Sequence, residues 1–214
     1  MSDKSLSPQL LLAAYASGVF PMADARDDPD VFWVDPQRRG ILPLDGFHLS
    51  RSLARRMRRG DVRGSLDEAF EAVLDGCANR QETWINDTIR DLMIELFRMG
   101  FAHSFEVWRE DELIGGMYGV ALGGAFFGES MFSRATDGSK MSLAFAVDHL
   151  RRTGFELFDT QFLTEHLASL GAIEVDRGDY RARLGKAIEL NAEIHAIPVE
   201  RDPQAVVQRI TQTS

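Results

Sequence analysis

Hydrophobic positions along this chain change their spacing near residue 100. Before it, apolar residues recur at helical intervals. Leu10, Leu11, Ala14 and Tyr15 share one face of a helix that Ser7-Pro8 opens and Gly18 closes. Ile89, Leu92, Met93, Leu96 and Phe97 share a second face that ends at Gly100. Between them, Ser65 and Glu68 stand at capping-box spacing ahead of a third helix, and Ser50 to Gly60 reads as a short, very basic one. Residues 20–43, rich in Pro and Asp, read as turns and short strands. From His103 the pattern becomes that of three antiparallel strands, with tight turns at Glu110–Glu112 and Gly123-Gly124. A helix from Ser139 to Gly154, a strand over 155–162, a short helix, the strand "AIEV" and a last helix follow. This order predicts an α+β (mixed α/β) fold with a mainly helical cap before it. We place a small N-terminal domain at 1–62 and a larger one at 63–214.

Composition narrows the setting. A hydrophobic content of 44% supports a real core, and no apolar segment is long enough for a membrane helix. No basic region precedes the first apolar stretch, so no signal peptide is expected. Cys77 is the single cysteine, which leaves no internal disulfide and no cysteine metal cluster and suits the reducing cytoplasm. With a net charge of −9, a polyanion would have to meet concentrated basic residues. Arg51, Arg55, Arg56, Arg58 and Arg59 form such a cluster, which reads either as a polyanion site or as a solvated helix face.

Chemistry concentrates in three places. "GGAFFGESMFSR" sets Glu129 inside an apolar run, where an unpaired carboxylate is costly. It is either solvated or buried with work to do. In "FDTQF" strand alternation puts Asp159 and Gln161 on one face, away from Phe158, Thr160 and Phe162. They read as an acid or base with an orienting amide, or as a structural hydrogen-bonded pair. "RATDGSK" could present Lys140 and backbone N–H groups to phosphate, or simply cap a helix. It has neither Walker spacing nor the loop that holds coenzyme A. Tyr15, Trp33, Trp84 and Trp108 could stack on a base or pack as core and rim. The five histidines show no metal-ligand spacing, and no metal is expected.

"GGMYGVALGGAFFGESMFSR", "DTQF" and "HLASLGA", supported by "TWI" and "HSFEVWREDELIGG", resemble the leucyl/phenylalanyl-tRNA–protein transferases of bacteria over nearly the whole chain. The resemblance implies an acetyltransferase-like (GNAT-like) larger domain. It implies an enzyme that moves leucine or phenylalanine, with methionine as a third candidate, from charged tRNA to the N-terminal Arg or Lys of acceptor proteins, marking them for N-end-rule degradation. No cofactor, no membrane and a monomer are expected. By motif, Asp159, Gln161 and Glu129 would be catalytic. Met117, Phe126 and Leu143 would line the donor side-chain pocket, with Gly128 and Ser130 at the substrate. Tyr15 and Trp84 would hold the terminal adenosine, and Arg51, Arg55, Arg56, Arg59 and Lys140 would meet tRNA.

Three features depart from the family's pattern. Met22 stands where relatives often carry tryptophan, Asp137-Gly138-Ser139-Lys140 stands for their "NASK", and the N-terminal stretch is shorter than in some relatives. The donor is already an activated ester, so neither ATP nor metal is required. The acceptor amine, with a pKa of roughly 7.7–8.0, must lose a proton. Asp159 is the expected acceptor, directly or through Gln161, while Glu129 offers charge to the incoming cation. Two rivals from other classes are a coenzyme-A-dependent N-acyltransferase and a non-catalytic tRNA-binding adaptor.

Overall fold

Ser7 accepts a hydrogen bond from the backbone N–H of Leu10 and so fixes the start of the first helix, α1 (Pro8–Ala16). The computed structural model describes residues 6–28, 30–80 and 83–212. After α1, strands β1 (Phe20–Met22) and β2 (Phe32–Val34) pair as a small antiparallel ribbon. There follow β3 (Arg38–Ile41), α2 (Arg51–Met57), β4 (Arg63–Leu66), α3 (Phe70–Ala78) and α4 (Asp87–Arg98). The meander expected after residue 100 is present as β5 (Ala102–Arg109), β6 (Glu112–Leu122) and β7 (Ala125–Ser133). The chain ends with α5 (Gly138–Arg152), β8 (Leu157–Gln161), α6 (Glu165–Ala168), β9 (Ile173–Asp176), α7 (Arg177–Ile188) and α8 (Pro203–Gln212).

Seven strands form one mixed sheet in the order β4-β5-β6-β7-β8-β3-β9. Every neighbouring pair is antiparallel except β7 and β8, which α5 joins by a crossover. A helix at this point is the ordinary way to connect parallel neighbours. Helices α2, α5 and α8 bury Leu53, Met57, Phe145, Leu150, Val206 and Val207 on one face of the sheet. Helices α1, α3, α4 and α7 bury Leu11, Val73, Met93, Leu96 and Leu184 on the other. The mixed α/β class is therefore as expected.

Two expectations need correcting. Ser65 and Glu68 are not a capping box: Ser65 lies in β4 and donates its hydroxyl to the Glu106 carboxylate. Glu68 pairs instead with Arg63 and Arg201 at 2.8 and 3.0 Å, and α3 starts beyond both, with no side-chain cap. Strand β3 enters the large sheet between β8 and β9. Helix α8 had no counterpart in the expected order; Val206, Val207 and Ile210 hold it against α5.

Close packing has a testable point at Gly64. A β-carbon there would stand 2.5 Å from the Phe145 ring. Gly64→Ala should therefore lower stability by about 1–3 kcal/mol through overpacking, and Phe145→Leu in the same chain should restore part of the loss. Urea unfolding of the two variants checks both statements.

Candidate active site

Strands β7 and β8 pair only from Ala125 opposite Leu157 to Phe127 opposite Asp159. Beyond that register β7 continues to Ser133 while β8 ends at Gln161, so the strands part. A cavity of about 620 Å³ opens here, at the C-terminal ends of the two parallel strands. Glu129, Thr160 and Gln161 line it together with Phe20, Met22, Trp84, Arg80, Arg134, Ser139 and His166.

Glu129 reaches the cavity by way of an irregularity in β7. Tyr118 pairs with Ser130 and Gly119 with Gly128, so Glu129 is the extra residue of a β-bulge. Bulges of this kind bend a strand and re-aim a side chain. A β-carbon on Gly119 would come 2.3 Å from the Phe127 carbonyl, so the opposite strand accommodates the bulge only with glycine. Glu129 is 8% exposed and its Oε1 accepts from the Tyr15 hydroxyl at 2.9 Å and from Gln161 Nε2 at 3.0 Å. Burial pushes its pKa up to about 8; the Asp159 charge adds to that, while the Tyr15 and Gln161 hydrogen bonds and Arg39 oppose it.

Behind Gln161 lies a buried ion pair. Arg39 is 1% and Asp159 0% exposed. The guanidinium binds the carboxylate in two places, Nε to Oδ1 at 2.9 Å and Nη2 to Oδ2 at 2.6 Å. Its Nη1 donates to the Gly18 carbonyl at 3.0 Å, and the rings of Phe20 and Tyr180 each lie 4.5 Å from it. The Tyr180 hydroxyl gives Asp159 Oδ2 a further bond at 2.7 Å. Removing two charges from water is costly, and this full set of bidentate, cation–π and hydroxyl contacts offsets it. Asp159 Oδ1 also accepts the backbone N–H of Gln161 at 2.8 Å. Gln161 has φ +57, a left-handed conformation that a side-chain-bearing residue adopts only when its surroundings impose it.

On the opposite face a second pocket of about 70 Å³ adjoins the cavity. Met117, Leu143, Leu167, Phe158, Gly128 and Ser130 line it, and Glu129, Thr160 and Gln161 stand at both pockets.

The expected site residues thus fall into two groups. Glu129, Gln161, Ser130 and Trp84 line the cavity, and Met117, Gly128 and Leu143 line the small pocket. Three positions differ from expectation. Asp159 lines neither space and both its oxygens are taken, so it positions Gln161 and does not face a substrate. Tyr15 is fully buried with its hydroxyl on Glu129, where no adenosine could stack. Phe126 stands behind the small pocket, edge-on to Phe158 with ring centres 5.3 Å apart.

Arg51, Arg55 and Arg59 are exposed, whereas Arg56 turns to Asp61 at 2.5 Å. Lys140 pairs with Asp137 at 3.2 Å, the acidic residue that departs from the "NASK" pattern. Met22 lines the cavity. Trp33 is 40% exposed on β2, opposite Pro21, and Trp108 donates to Ser65. Sequence spacing marks none of Arg39, Tyr180, Arg80 and Arg134 as a site residue. The basic and aromatic runs that hold them carry no period or spacing that marks a site.

The family model for leucyl/phenylalanyl-tRNA protein transferase matches residues 41–185, and the model for the N-terminal domain of the same transferase matches residues 4–37. The chain belongs to the leucyl/phenylalanyl-tRNA protein transferase family. A protein of that name from Ruegeria pomeroyi is 63% identical over 98% of this chain and 100% of its own length. One from Cereibacter sphaeroides is 60% identical over the full length of both. Membership makes the chain an aminoacyltransferase. Among solved structures, the C-terminal domain of a lysylphosphatidylglycerol synthetase from Agrobacterium fabrum aligns over 97% of this chain and 70% of that one. The two are 13% identical, with a TM-score of 0.41.

Two measurements follow from the geometry of this transferase. Asp159→Asn leaves Arg39 as an uncompensated buried cation, so it should cost about 3–5 kcal/mol of stability, read by denaturant unfolding. Because Asp159 is a positioning residue, raising the pH should not rescue turnover in that variant. For Glu129, a folded-state pKa raised above 4.5 to about 8 means that the folded protein binds the extra proton. Its stabilising contribution is complete at low pH and is lost as pH rises from about 4.5 through about 8. Glu129→Gln should remove this fall, so the melting-temperature difference between variant and wild type should grow in the variant's favour across that window.

Proposed function

We propose that this transferase takes leucine or phenylalanine, with methionine as a third donor, from charged tRNA and joins it to the N-terminal Arg or Lys of an acceptor protein. The observation that carries the reading is the arrangement of Glu129 and Gln161 between a small, mainly apolar pocket and a large cavity with both apolar and polar walls. A leucine or phenylalanine side chain suits the first, lined by Met117, Leu143 and Phe158, and methionine's flexible thioether lets one pocket accept branched and flat shapes. The ribose and adenine of the donor, with the acceptor N-terminus, suit the second, where Trp84 offers a stacking surface. The exposed Arg51, Arg55 and Arg59, with Lys140, form the proposed tRNA contact. Charged tRNA sets the work in the cytoplasm, and acceptors so modified enter N-end-rule degradation. Among the described residues no helix is long and apolar enough to cross a membrane.

In the reaction the acceptor's α-amine attacks the ester carbonyl, the C–N bond forms, and the C–O bond to the terminal ribose breaks. The amine loses a proton and the ribose hydroxyl gains one. Glu129 faces the cavity with a pKa of about 8, close to that of an α-amine, which is the match a proton acceptor needs. Gln161 holds that carboxylate through its N–H and leaves its carbonyl for the incoming amine. The positive charge of an arriving Arg or Lys acceptor favours the ionised form of Glu129, which then pairs with it. The fold reading that goes with this is acetyltransferase-like. It rests on the β5–β6–β7 meander, the α5 crossover and the parting of β7 from β8.

The deciding assay mixes the protein with radiolabelled leucyl-tRNA and a peptide that starts with arginine. Label should appear in the peptide, and Glu129→Gln should slow single-turnover transfer by roughly 10²–10⁴. Label that stays on bound tRNA would instead favour the adaptor. Coenzyme A should bind weakly if at all. Met117→Ala enlarges the donor pocket and should shift preference from leucyl toward phenylalanyl donors; unchanged relative rates would take Met117 out of donor choice.

A further inference from the structure

The five histidines stand far apart in the sequence, but the fold brings two of them to one carboxylate. Asp67 follows β4, His103 lies on β5, and His195 belongs to the segment between α7 and α8. One oxygen of Asp67 and one nitrogen of each imidazole all lie within 4.8 Å of one another. Asp67 has φ +60, a left-handed backbone that needs support from its surroundings. The Ser104 N–H supplies part of it, donating to Oδ1 at 2.7 Å. The other oxygen, Oδ2, faces His103 Nδ1 at 2.8 Å and His195 Nε2 at 3.2 Å.

His103 is 2% exposed and meets an oxygen acceptor at each ring nitrogen: Asp67 Oδ2 at Nδ1 and the Gly100 carbonyl at Nε2, 3.1 Å away. A neutral imidazole has only one N–H, so one of these contacts would set lone pair against lone pair. A cation bound by both Nδ1 and Oδ2 removes the conflict, with the 2.8 Å contact opening to the roughly 3.3 Å that two bonds of about 2 Å at a tetrahedral angle span. Nε2–H then donates to the Gly100 carbonyl, the outer hydrogen bond that metal-bound imidazoles ordinarily make. His195, with its side chain 63% exposed, has room to adjust and leaves one side open to water.

We propose that Asp67, His103 and His195 bind a divalent cation of the zinc class, with water as fourth ligand. Two imidazoles and one carboxylate are a zinc donor set. Calcium and magnesium prefer oxygen ligands throughout. None of the three residues lines the cavity, so the site is separate from the transfer chemistry. Its effect is to fasten to β5 a stretch of chain that carries no helix or strand around His195.

The test uses the full chain without a histidine tag, stripped of metal by a chelator. Titration with Co²⁺ should give the visible absorption of a tetrahedral site, saturating at one equivalent and displaced by Zn²⁺. The melting temperature should rise with added Zn²⁺. His195→Ala should lose the cobalt spectrum and the zinc-dependent shift while its metal-free melting temperature stays near wild type, since His195 lies at the surface. Asp67→Asn should also lose the spectrum. Absence of the tetrahedral spectrum, or a spectrum retained in His195→Ala, overturns the proposal.

Discussion

The cavity end of this fold depends on one buried ion pair. Arg39 and Asp159 lie 120 residues apart in sequence and stand side by side on neighbouring strands. Neither could be buried alone, because an isolated charge in the interior is far too costly. Together, with Tyr180, Phe20 and the Gly18 carbonyl, they satisfy each other and fix several elements at once: β3, β8, α7 and the turn after α1. The pair also accounts for the unusual backbone of Gln161, whose N–H points back to Asp159 and whose side chain therefore points forward to Glu129.

From that anchor the site divides by chemistry across the sheet. The face toward α1 and α7 carries the polar chain from Arg39 through Asp159 and Gln161 to Glu129 and Tyr15. The face toward α5 carries the apolar pocket around Met117, Leu143 and Phe158. Strand alternation alone produces this partition, since Phe158 and Asp159 are consecutive and point opposite ways. The bulge at Glu129 and the parting of β7 and β8 then open both environments to the same cavity.

Much of this was legible in the sequence because the strongest signals are local. The β5–β6–β7 meander showed in its alternation and in the Glu110 and Gly123 turns, where both residues take positive φ. Helix α5 followed from periodicity, whereas Thr160 lines the same spaces as Gln161 because the left-handed turn at Gln161 breaks the strand alternation. Glu129 was readable as an anomaly, a carboxylate in an apolar run. What escaped reading depends on partners distant in the chain. "RRGI" has no alternation to mark a strand inside a large sheet, and nothing near Asp159 in sequence announces Arg39. Without that partner, a carboxylate on a central strand looks like a free base. Ser65 and Glu68 matched a capping box because the spacing is right. Tertiary demand from Glu106 took Ser65 into a strand instead. His103 and His195 meet only in three dimensions, which is why spacing among histidines gave no hint of them.

Strand β3 has a further consequence for how the protein is made. Its two neighbours, β8 and β9, leave the ribosome long after it does, so β3 must wait, unpaired, for most of synthesis. A strand inserted between two later ones is a non-local pairing of the kind that slows folding, and its exposed edges invite wrong partners meanwhile. The same order of events guards the chemistry. Until β3 docks and Arg39 finds Asp159, Gln161 has no reason to hold its strained turn, and an unfinished chain has no assembled site with which to consume charged tRNA.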